Sequence, residues 1–247
     1  MLACKAAVVK LGGSLITFKH VGESRVDNES LASVSRQLKS YLSLGGRLIA
    51  IVHGGGSFGH GIVERIISQK GSLNALDAPA IQQAMNTLSI EVLKTLISEG
   101  LHAVLHHPRS LCVAPLSCDF KPLIRDYEAG LIPVTHGDAI PTASGNLYIL
   151  SGDWLAAEIA VATKADCLIY ATRVEGVYGK DGKLLSVLKS IDNLGDMGVV
   201  DTTGAMKGKV REALRAASTV SRVVIVNGGK LLDALRGLNV GTRVEPA

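Results

Sequence analysis

The stretch Val52-His53-Gly54-Gly55-Gly56-Ser57-Phe58-Gly59-His60 decides how the rest of this sequence is interpreted. Residues 47–52 are mostly apolar and partly β-branched, which is typical of a buried strand, and apolar residues recur at helical spacing over residues 62–67. Three consecutive glycines therefore stand where a strand ends and a helix begins. A ligand can approach a glycine backbone closely, and a helix start offers free N–H groups and a positive dipole end. The pattern predicts a phosphate-binding loop, to which His60, about one turn into the helix, adds a donor.

Two other interpretations of this loop stay open. The glycines could simply form a tight turn, although a turn needs only one or two of them. Gly54-x-Gly56-x-x-Gly59 also matches the dinucleotide-binding pattern, with Asp77 about 20 residues further on, which would indicate an NAD(P)-dependent oxidoreductase. That match is weak because the loop is not the first strand–helix turn of the chain and Asp77 does not follow a predicted strand.

The composition excludes several classes of partner. The 247-residue chain is 47% apolar, which is ample for a core. Only 4% of the residues are aromatic, which leaves few side chains for stacking on bases. The net charge is +4 and the basic residues are scattered along the chain, so we expect small anions rather than nucleic acid as ligands. No run of about 18 apolar residues and no signal-peptide layout occurs, so we expect no membrane partner and a cytoplasmic location. Cys4, Cys112, Cys118 and Cys167 form no C-x-x-C pair and are expected to be free thiols.

The apolar periodicity predicts strands alternating with amphipathic helices. Strands are expected over residues 6–11, 47–52, 102–106, 166–172 and 222–226, and helices over 27–44, 77–99, 154–162, 205–220 and 231–238. Residues 118–153, punctuated by prolines, are expected to form short strands and a hairpin. The alternation predicts an α/β fold, a three-layer αβα sandwich with a mostly parallel central sheet. We expect a single domain, 1–247, with two functional halves, about 1–150 and about 151–247.

Four motifs could carry chemistry in this sheet, although no Walker A motif is present. They are the triple-glycine stretch, Lys10-x-Gly12-Gly13-Ser14, Ser151-Gly152-Asp153, and Asp201-x-Thr203-Gly204-x-Met206-x-x-Lys209. Because ligands of open α/β sheets gather at the carboxyl ends of the strands, these motifs are expected to bring lysines, an aspartate and glycines to one place. From its position alone, Asp153 could also be a helix N-cap, and His53 is expected to be structural.

Together the motifs resemble the amino acid kinase family, which includes acetylglutamate, uridylate and carbamate kinases. Lys10-Leu11-Gly12-Gly13-Ser14-Leu15-Ile16-Thr17 with Lys19, the triple-glycine stretch, and Gly137-Asp138 with Ser151-Gly152-Asp153 are most similar to the isopentenyl phosphate kinases of that family. The resemblance covers about residues 8–228. It implies an ATP- and Mg²⁺-dependent kinase that phosphorylates isopentenyl phosphate, a small phosphomonoester of isoprenoid biosynthesis, and that forms a homodimer. It also implies that residues about 1–150 bind the acceptor and the remainder binds the nucleotide.

The resemblance further implies residue roles. The catalytic set would be Lys10, Lys19, His60, Asp153 and Lys209, with the lysines holding phosphates, Asp153 orienting the lysines and His60 contacting the acceptor phosphate. The nucleotide would be bound by Lys10, Gly12, Gly13, Ser14, Gly56, Thr172, Gly176, Tyr178, Gly204 and Lys209. The acceptor would be bound by Gly54, Gly55, Gly59, His60, Gly137, Asp138, Ser151 and Gly152. No residue is expected to bind a metal ion directly.

The chain departs from the family pattern at three places. Thr172-Arg173-Val174-Glu175-Gly176 replaces the usual Thr-Asp-Val-Asp-Gly, Thr203-Gly204-Ala205-Met206 replaces Thr-Gly-Gly-Met, and Trp154 replaces a frequent second aspartate. The first two departures affect the expected nucleotide and Mg²⁺ contacts. The Thr-Gly-Ala-Met and Gly-His elements also resemble a fosfomycin-resistance kinase, so a phosphonate kinase stays open. A non-catalytic ligand-binding regulator of kinase descent stays open as well.

Overall fold

The structure, a computed structural model, describes residues 2–18, 24–113, 117–195 and 205–246. Its strands are β1 Ala6–Leu11, β2 Arg47–His53, β3 Ala103–Leu105, β4 Cys112–Val113, β5 Ser117–Cys118, β6 Ile132–His136, β7 Asp138–Pro141, β8 Leu147–Leu150, β9 Cys167–Thr172, β10 Val187–Leu188, β11 Arg222–Asn227 and β12 Thr242–Val244. Its helices are α1 Gly13–Ile16, α2 Asn28–Ser43, α3 Gly56–Lys70, α4 Ala78–Ser98, α5 Pro108–Leu111, α6 Lys121–Glu128, α7 Gly152–Ala162, α8 Ala205–Ala217 and α9 Leu231–Arg236. Within these ranges, no helix is both long and apolar enough to cross a membrane.

The central sheet has eight strands in the order β10-β12-β11-β9-β1-β2-β6-β3. Neighbouring strands from β11 to β3 are parallel, whereas β12 runs antiparallel to β11 and parallel to β10. Two further antiparallel pairs, β4–β5 and β7–β8, lie outside this sheet. The expected mostly parallel sheet is therefore confirmed.

The alternation of side chains along the central strands divides the core into two layers. In β1, Val8 packs into one apolar cluster, whereas Ala7 and Val9 pack into the other. Helices α6, α7 and α8 contact strands of the sheet on the first side, and α2, α4 and α9 contact them on the second. Because both faces are covered, the central strands are apolar at almost every position. This arrangement confirms the three-layer αβα sandwich.

A third and smaller apolar cluster involves α3, α4 and the β7–β8 hairpin. Its members are Ile66, Ile81, Met85 and Ala139, with Ile62, Val63, Leu73 and Leu147 packed against them. We call these residues the small apolar cluster. Because α3 begins inside the triple-glycine stretch, this cluster lies next to the predicted phosphate loop.

The region between β3 and α7 differs in part from the sequence-based expectation. The hairpin of β7 and β8 is confirmed, with Gly145 at φ +82° in its turn. Lys121–Glu128, however, forms helix α6 rather than a strand. Pro122 lies in its first turn, where proline is tolerated because the N–H it lacks would have no partner inside the helix. Treating Pro122 as a break between strands was therefore wrong.

The expectation of free thiols was also wrong, because all four cysteines are paired. Cys4 is bonded to Cys167 and Cys112 to Cys118, with Cα–Cα distances of 5.5 and 4.1 Å. The first pair is 163 residues apart in the chain and is brought together by the parallel pairing of β1 with β9. The second pair faces across the antiparallel strands β4 and β5. Local spacing could not show either pair.

Candidate active site

The carboxyl ends of five parallel strands form the floor of the site. Leu11 of β1 lies in register with His53 of β2 and Ala171 of β9, and His53 in turn with His136 of β6. Asn227 of β11 is paired with Thr172. The loops that follow β1, β2 and β6 carry the glycine-rich motifs, as expected for an open α/β sheet. Ser151 follows β8, a hairpin strand, rather than a strand of the central sheet.

Three charged side chains from distant parts of the chain meet at this edge. One carboxylate oxygen of Asp153, Oδ1, lies 2.7 Å from Lys10 Nζ and 2.8 Å from Lys209 Nζ. Lys10 and Lys209 are only 5% and 6% exposed. The sequence-based expectation that these three residues converge is confirmed by the geometry. We call them the lysine–aspartate triad.

Burial and mutual charge shift the pKa values within the triad. Burial alone would raise the pKa of Asp153, but the charges of Lys10 and Lys209 outweigh it and hold that pKa far below its usual value. Burial, together with repulsion from Lys10, lowers the pKa of Lys209 to about 8 despite the attraction of Asp153. A single carboxylate therefore compensates two buried lysines, so the triad carries a net positive charge at neutral pH. Such a site attracts anions.

Helix α7 positions the carboxylate of the triad. Its N-cap is Ser151, whose Oγ accepts the N–H groups of Asp153 and Trp154. Asp153 therefore lies in the first turn rather than at the cap, and the alternative that it is the N-cap was wrong. The buried Tyr170 of β9 donates its hydroxyl to the carbonyl of Asp153 at 3.1 Å. The Lys209 ammonium lies 5.3 Å from the centre of the Tyr170 ring, so a cation–π interaction also stabilises its charge.

The two glycine-bearing loops pack backbone against backbone. A Cβ placed on Gly13 would overlap Gly56, and a Cβ on Gly54 would lie 2.8 Å from the Gly13 nitrogen and 3.3 Å from Lys10 Nζ. Gly56 also has φ +49°, which favours glycine. Gly12 is fixed by its N–H, which donates to the Ala171 carbonyl at 2.8 Å. These glycines thus bring the Lys10 ammonium next to the triple-glycine loop.

The start of α3 offers unpaired backbone donors. Within the described residues, the N–H groups of Gly55 and Gly56 have no hydrogen-bond partner, whereas Gly54 N–H donates to Leu11 and Ser57 N–H to Thr17. Free N–H groups at a helix N-terminus are suited to a phosphate or carboxylate. His60 is exposed in the second turn of this helix. Met85 packs beneath the loop, so that a Cβ on Gly55 would lie 2.9 Å from the Gly59 Cα and 3.0 Å from the Met85 sulfur, and a Cβ on Gly59 would lie 3.2 Å from that sulfur.

Two buried histidines end the neighbouring strands β2 and β6. The ring Nδ1 of His53 lies 3.2 Å from the Gly54 carbonyl, and Nδ1 of His136 lies 2.9 Å from the Gly137 carbonyl. Burial lowers the pKa of His53 to about 3 and that of His136 to about 4, so both rings are neutral at pH 7. Each ring therefore holds the glycine that follows it without adding charge. His53 is structural, as expected.

The second pair of glycines joins the hairpin to the sheet. A Cβ on Gly137 would lie 2.8 Å from the Gly152 nitrogen, so the start of α7 is in close contact with the end of β6. Asp138, expected at the acceptor, is buried, with Oδ1 accepting its neighbour Ala139 N–H and Oδ2, which has no hydrogen-bond partner among the described residues, 3.9 Å from His107 Nε2. Burial raises the pKa of Asp138. The structure does not bring the Asp138 carboxylate to the triad.

Three further predicted nucleotide residues, Thr172, Gly176 and Tyr178, lie at the end of β9 or in the loop that follows it. Thr172 is buried, and its hydroxyl lies within hydrogen-bond distance of the Val174 and Val226 carbonyls, at 2.9 and 3.2 Å. Gly176 packs against Thr242, and Tyr178 is half-buried in the following loop. Ser14 is exposed on α1. Lys19 and Gly204 lie outside the described residues.

The departure at Arg173 has a structural counterpart. Its guanidinium donates to the Ser14 carbonyl at 2.6 Å and to the Leu15 carbonyl at 3.4 Å, and it lies 2.9 Å from Asp27 Oδ2. Arg173 therefore ties α1 to the end of β9. The departure at Glu175 forms an exposed ion pair with Lys230 at 2.7 Å. From the sequence, Arg173 is visible only as a departure from the family pattern, because the residues that it contacts lie 146 to 159 positions away in the chain.

Across the described ranges, no group of three or more His, Cys, Asp and Glu side chains is arranged to hold a metal ion. The Asp153 carboxylate, the acid at the centre of the site, is already engaged by two ammonium groups.

Comparison with known proteins agrees with this geometry. Residues 5–227 match the amino acid kinase family. The chain is 32% identical to isopentenyl phosphate kinase of Methanothermobacter thermautotrophicus, covering 96% of this chain and 98% of that protein. It is 28% identical to acetylglutamate kinase of Aeromonas salmonicida, covering 96% and 97%. A crystal structure of isopentenyl phosphate kinase superposes with a TM-score of 0.82 at 27% identity, covering 97% of this chain and 99% of that one. The chain thus belongs to the amino acid kinase family.

Proposed function

We propose that this protein transfers the γ-phosphoryl group of ATP to isopentenyl phosphate and releases isopentenyl diphosphate and ADP. The observation that carries the proposal is the buried lysine–aspartate triad, with Lys10 Nζ beside the triple-glycine loop. That contact places a cation between the two loops that are proposed to hold the two phosphates. The similarity to curated isopentenyl phosphate kinases over almost the whole chain supports the same substrate.

The chemistry needs charge neutralisation more than proton transfer. A phosphomonoester has a second pKa of about 6, so its oxygen is already an anionic nucleophile at pH 7 and needs no general base. ATP and the acceptor repel each other, and the transition state spreads charge over the transferred group. We propose that Lys10 and Lys209 hold the β- and γ-phosphates, that Lys19 reaches the transferred group, and that Asp153 orients the two buried lysines. Mg²⁺ would enter bound to ATP and neutralise further phosphate charge.

The acceptor side fits a phosphate with a short apolar tail. The unpaired N–H groups of Gly55 and Gly56 and the exposed His60 offer donors for the phosphate, so Gly56, which the family resemblance assigned to the nucleotide, is proposed here on the acceptor side. The small apolar cluster lies directly behind these groups, since Met85 contacts the glycine loop. The partly buried members of this cluster, Ile62, Val63, Leu73 and Leu147, provide apolar side chains next to the anion site, which is suited to a molecule with an anionic head and a hydrocarbon tail. Acetylglutamate, by contrast, would place a second carboxylate against apolar side chains.

The oxidoreductase alternative is not supported by the position of Asp77. This carboxylate is buried in a turn before α4, where it accepts from the Asn74 N–H and pairs with Lys70 at 2.5 Å. The dinucleotide pattern instead needs an acid at a strand end, free to bind a ribose. The phosphonate kinase and the non-catalytic regulator differ from our proposal only in acceptor and turnover, so an assay has to separate them.

A panel assay tests the proposal. ADP release would be measured with isopentenyl phosphate, dimethylallyl phosphate, fosfomycin, UMP and acetylglutamate, and the phosphorylated product would be identified by mass. We expect the highest kcat/KM with isopentenyl phosphate. ATP with Mg²⁺ at about 100 times its Kd should stabilise the fold by about 2.7 kcal/mol, whereas NAD(P) should not. Faster turnover of fosfomycin, or binding of ATP without turnover of any acceptor, would instead favour one of the alternatives.

Three further statements belong to this proposal. The chain is divided into an acceptor half, about 1–150, and a nucleotide half, about 151–247. The protein forms a homodimer and is located in the cytoplasm. The triad already combines the halves, because Lys10 precedes and Lys209 follows the boundary. The disulfides remove one argument for a reducing compartment, so the location rests on the expected metabolic role. Light scattering of the purified protein would measure the assembly.

A further inference from the structure

Thr17, at the end of α1, hydrogen-bonds to both glycine-bearing loops. Its hydroxyl donates to the Gly13 carbonyl at 2.8 Å and accepts the N–H of Ser57 at 3.0 Å. Gly13 follows β1, and Ser57 lies in the first turn of α3, 40 residues away from Thr17. The side chain is buried, with 2% exposure. One hydroxyl therefore links the loop beside the triad to the loop that offers the unpaired N–H groups.

The close packing of the two loops makes this link geometrically demanding. A Cβ on Gly56 would overlap Thr17 Oγ1, and a Cβ on Gly13 would overlap Gly56. No side chains interdigitate where glycine meets glycine, so the relative position of the loops depends on backbone contact and hydrogen bonds. The Thr17 hydroxyl also satisfies one of the N–H groups left free at the start of α3, which leaves those of Gly55 and Gly56 for a ligand.

We infer that Thr17 is a positioning residue that sets the distance between the donor and acceptor phosphates. The inference rests on the proposed function, in which ATP lies on the Gly12–Gly13 loop and the acceptor on the triple-glycine loop. Phosphoryl transfer depends on alignment of the attacking oxygen with the transferred group, and a displacement of about 1 Å can reduce the rate about 100-fold. Each substrate would still bind to its own loop without the hydroxyl.

Steady-state kinetics of Thr17→Val, Thr17→Ala and Thr17→Ser test this role. The Val and Ala variants should lower kcat by about 10- to 100-fold, while the KM values for ATP and isopentenyl phosphate change less than about threefold. Thr17→Ser retains the hydroxyl and should recover most of kcat. The matched control is Ser35→Ala, which removes a buried hydroxyl that donates to the Leu31 carbonyl inside α2 and to neither glycine loop. It should keep wild-type kinetics.

The outcomes separate this inference from the proposed function. If the wild-type chain does not phosphorylate isopentenyl phosphate, the proposed function fails before any variant is compared. If the wild type is active and folded Thr17→Val and Thr17→Ala keep its kcat, only the role of Thr17 fails. A rise in one KM with kcat preserved would also overturn it, because Thr17 would then serve binding on one side. If the added methyl group of Thr17→Val prevents folding, Thr17→Ala, which adds no atoms, is compared with the wild type instead.

Discussion

The two sides of the site are built from different kinds of group. On the proposed nucleotide side, Lys10, Asp153 and Lys209 form a buried ionic cluster with contacts of 2.7 and 2.8 Å. On the proposed acceptor side, glycine N–H groups and the neutral rings of His53 and His136 surround the floor, and His60 is exposed. In the part of the chain that the structure describes, charged side chains are therefore held in place before any ligand binds only on the proposed nucleotide side. In our proposal, the more highly charged substrate would meet cations that are already oriented, whereas the acceptor would meet backbone donors whose cost of burial is smaller.

Asp153→Asn should have the largest effect, because it removes the group that compensates both lysines. Breaking a buried ion pair by removing one partner typically costs about 3–5 kcal/mol of folding free energy, and we expect kcat to fall about 100-fold or more as the lysines lose their orientation. Urea denaturation and single-turnover kinetics measure the two losses.

Ser151→Ala is the matched stability control, since it removes the true N-cap of α7 and should cost about 1 kcal/mol. A folded Asp153→Asn protein as stable as wild type, with near-normal turnover, would show that the triad is not an energetic unit.

His60→Ala should have the next largest effect and should act on the opposite side. Because His60 is exposed in the free protein, we expect a loss of about 2 kcal/mol in kcat/KM for isopentenyl phosphate, near the lower end for removal of one positioned donor. The KM for ATP should change little. The test is steady-state kinetics in which one substrate is varied while the other is held at a saturating concentration. A variant that loses ATP affinity and keeps acceptor kinetics would reverse our assignment of the two sides.

Deprotonation of Lys209 should lower the activity and raise the stability, and both effects should be smaller than those of the substitutions above. With a folded pKa of about 8, below its usual 10.5, Lys209 loses its charge above pH 8, so kcat/KM for ATP should fall there. The unfolded chain keeps that proton up to higher pH, so Lys209 should make stability rise between about pH 8 and 10.5, by at most about 1.4 kcal/mol per pH unit.

Lys209→Met is the reference for this pH dependence, because other groups also titrate in this range. The difference in unfolding free energy between wild type and variant should show the rise, and the kcat/KM of the variant for ATP should no longer fall with the same pKa. A flat difference curve would contradict the depressed pKa.

The sequence predicted the parts of the molecule whose signals are local. Strands β1, β2, β9 and β11 were predicted within a residue at each end because buried parallel strands are uninterrupted apolar runs. The convergence of Lys10, Asp153 and Lys209 followed from the rule that ligands meet at the carboxyl ends of the strands, combined with the family resemblance.

Contacts that depend on tertiary geometry were not predictable in the same way. The Cys4–Cys167 pair and the contacts of Arg173 join positions more than 140 residues apart, and no spacing within the sequence encodes their orientation. The burial of Asp138 was missed because its motif, Gly-Asp at a strand end, is the same whether the carboxylate faces a ligand or His107. Thr17 belongs to the motif that begins at Lys10, but its hydrogen bond with the Ser57 N–H depends on where α3 packs in the folded protein.

Arg173→Ala should have the smallest effect, because Arg173 supports the proposed nucleotide side without belonging to the triad. Its side chain is half exposed, so losing the pair with Asp27 should cost less than about 1 kcal/mol of stability. The carbonyls of Ser14 and Leu15 would lose their donors, and the loop of Gly12 and Gly13 would be held less firmly. We expect the KM for ATP to rise a few-fold while the KM for the acceptor stays unchanged.

Two further variants decide whether this loss belongs to the guanidinium. Arg173→Lys should not restore the KM for ATP, because an ammonium group lacks the planar fork that reaches carbonyls and carboxylate together. Lys230→Ala breaks the neighbouring exposed pair with Glu175, which touches neither glycine loop, and should leave both KM values as they are. If Arg173→Ala and Lys230→Ala behave alike, the departure from the family pattern at residue 173 is neutral for the nucleotide side, and the loop is held without the guanidinium, by its backbone contacts with Ala171 and Gly56 and by the Thr17 hydroxyl.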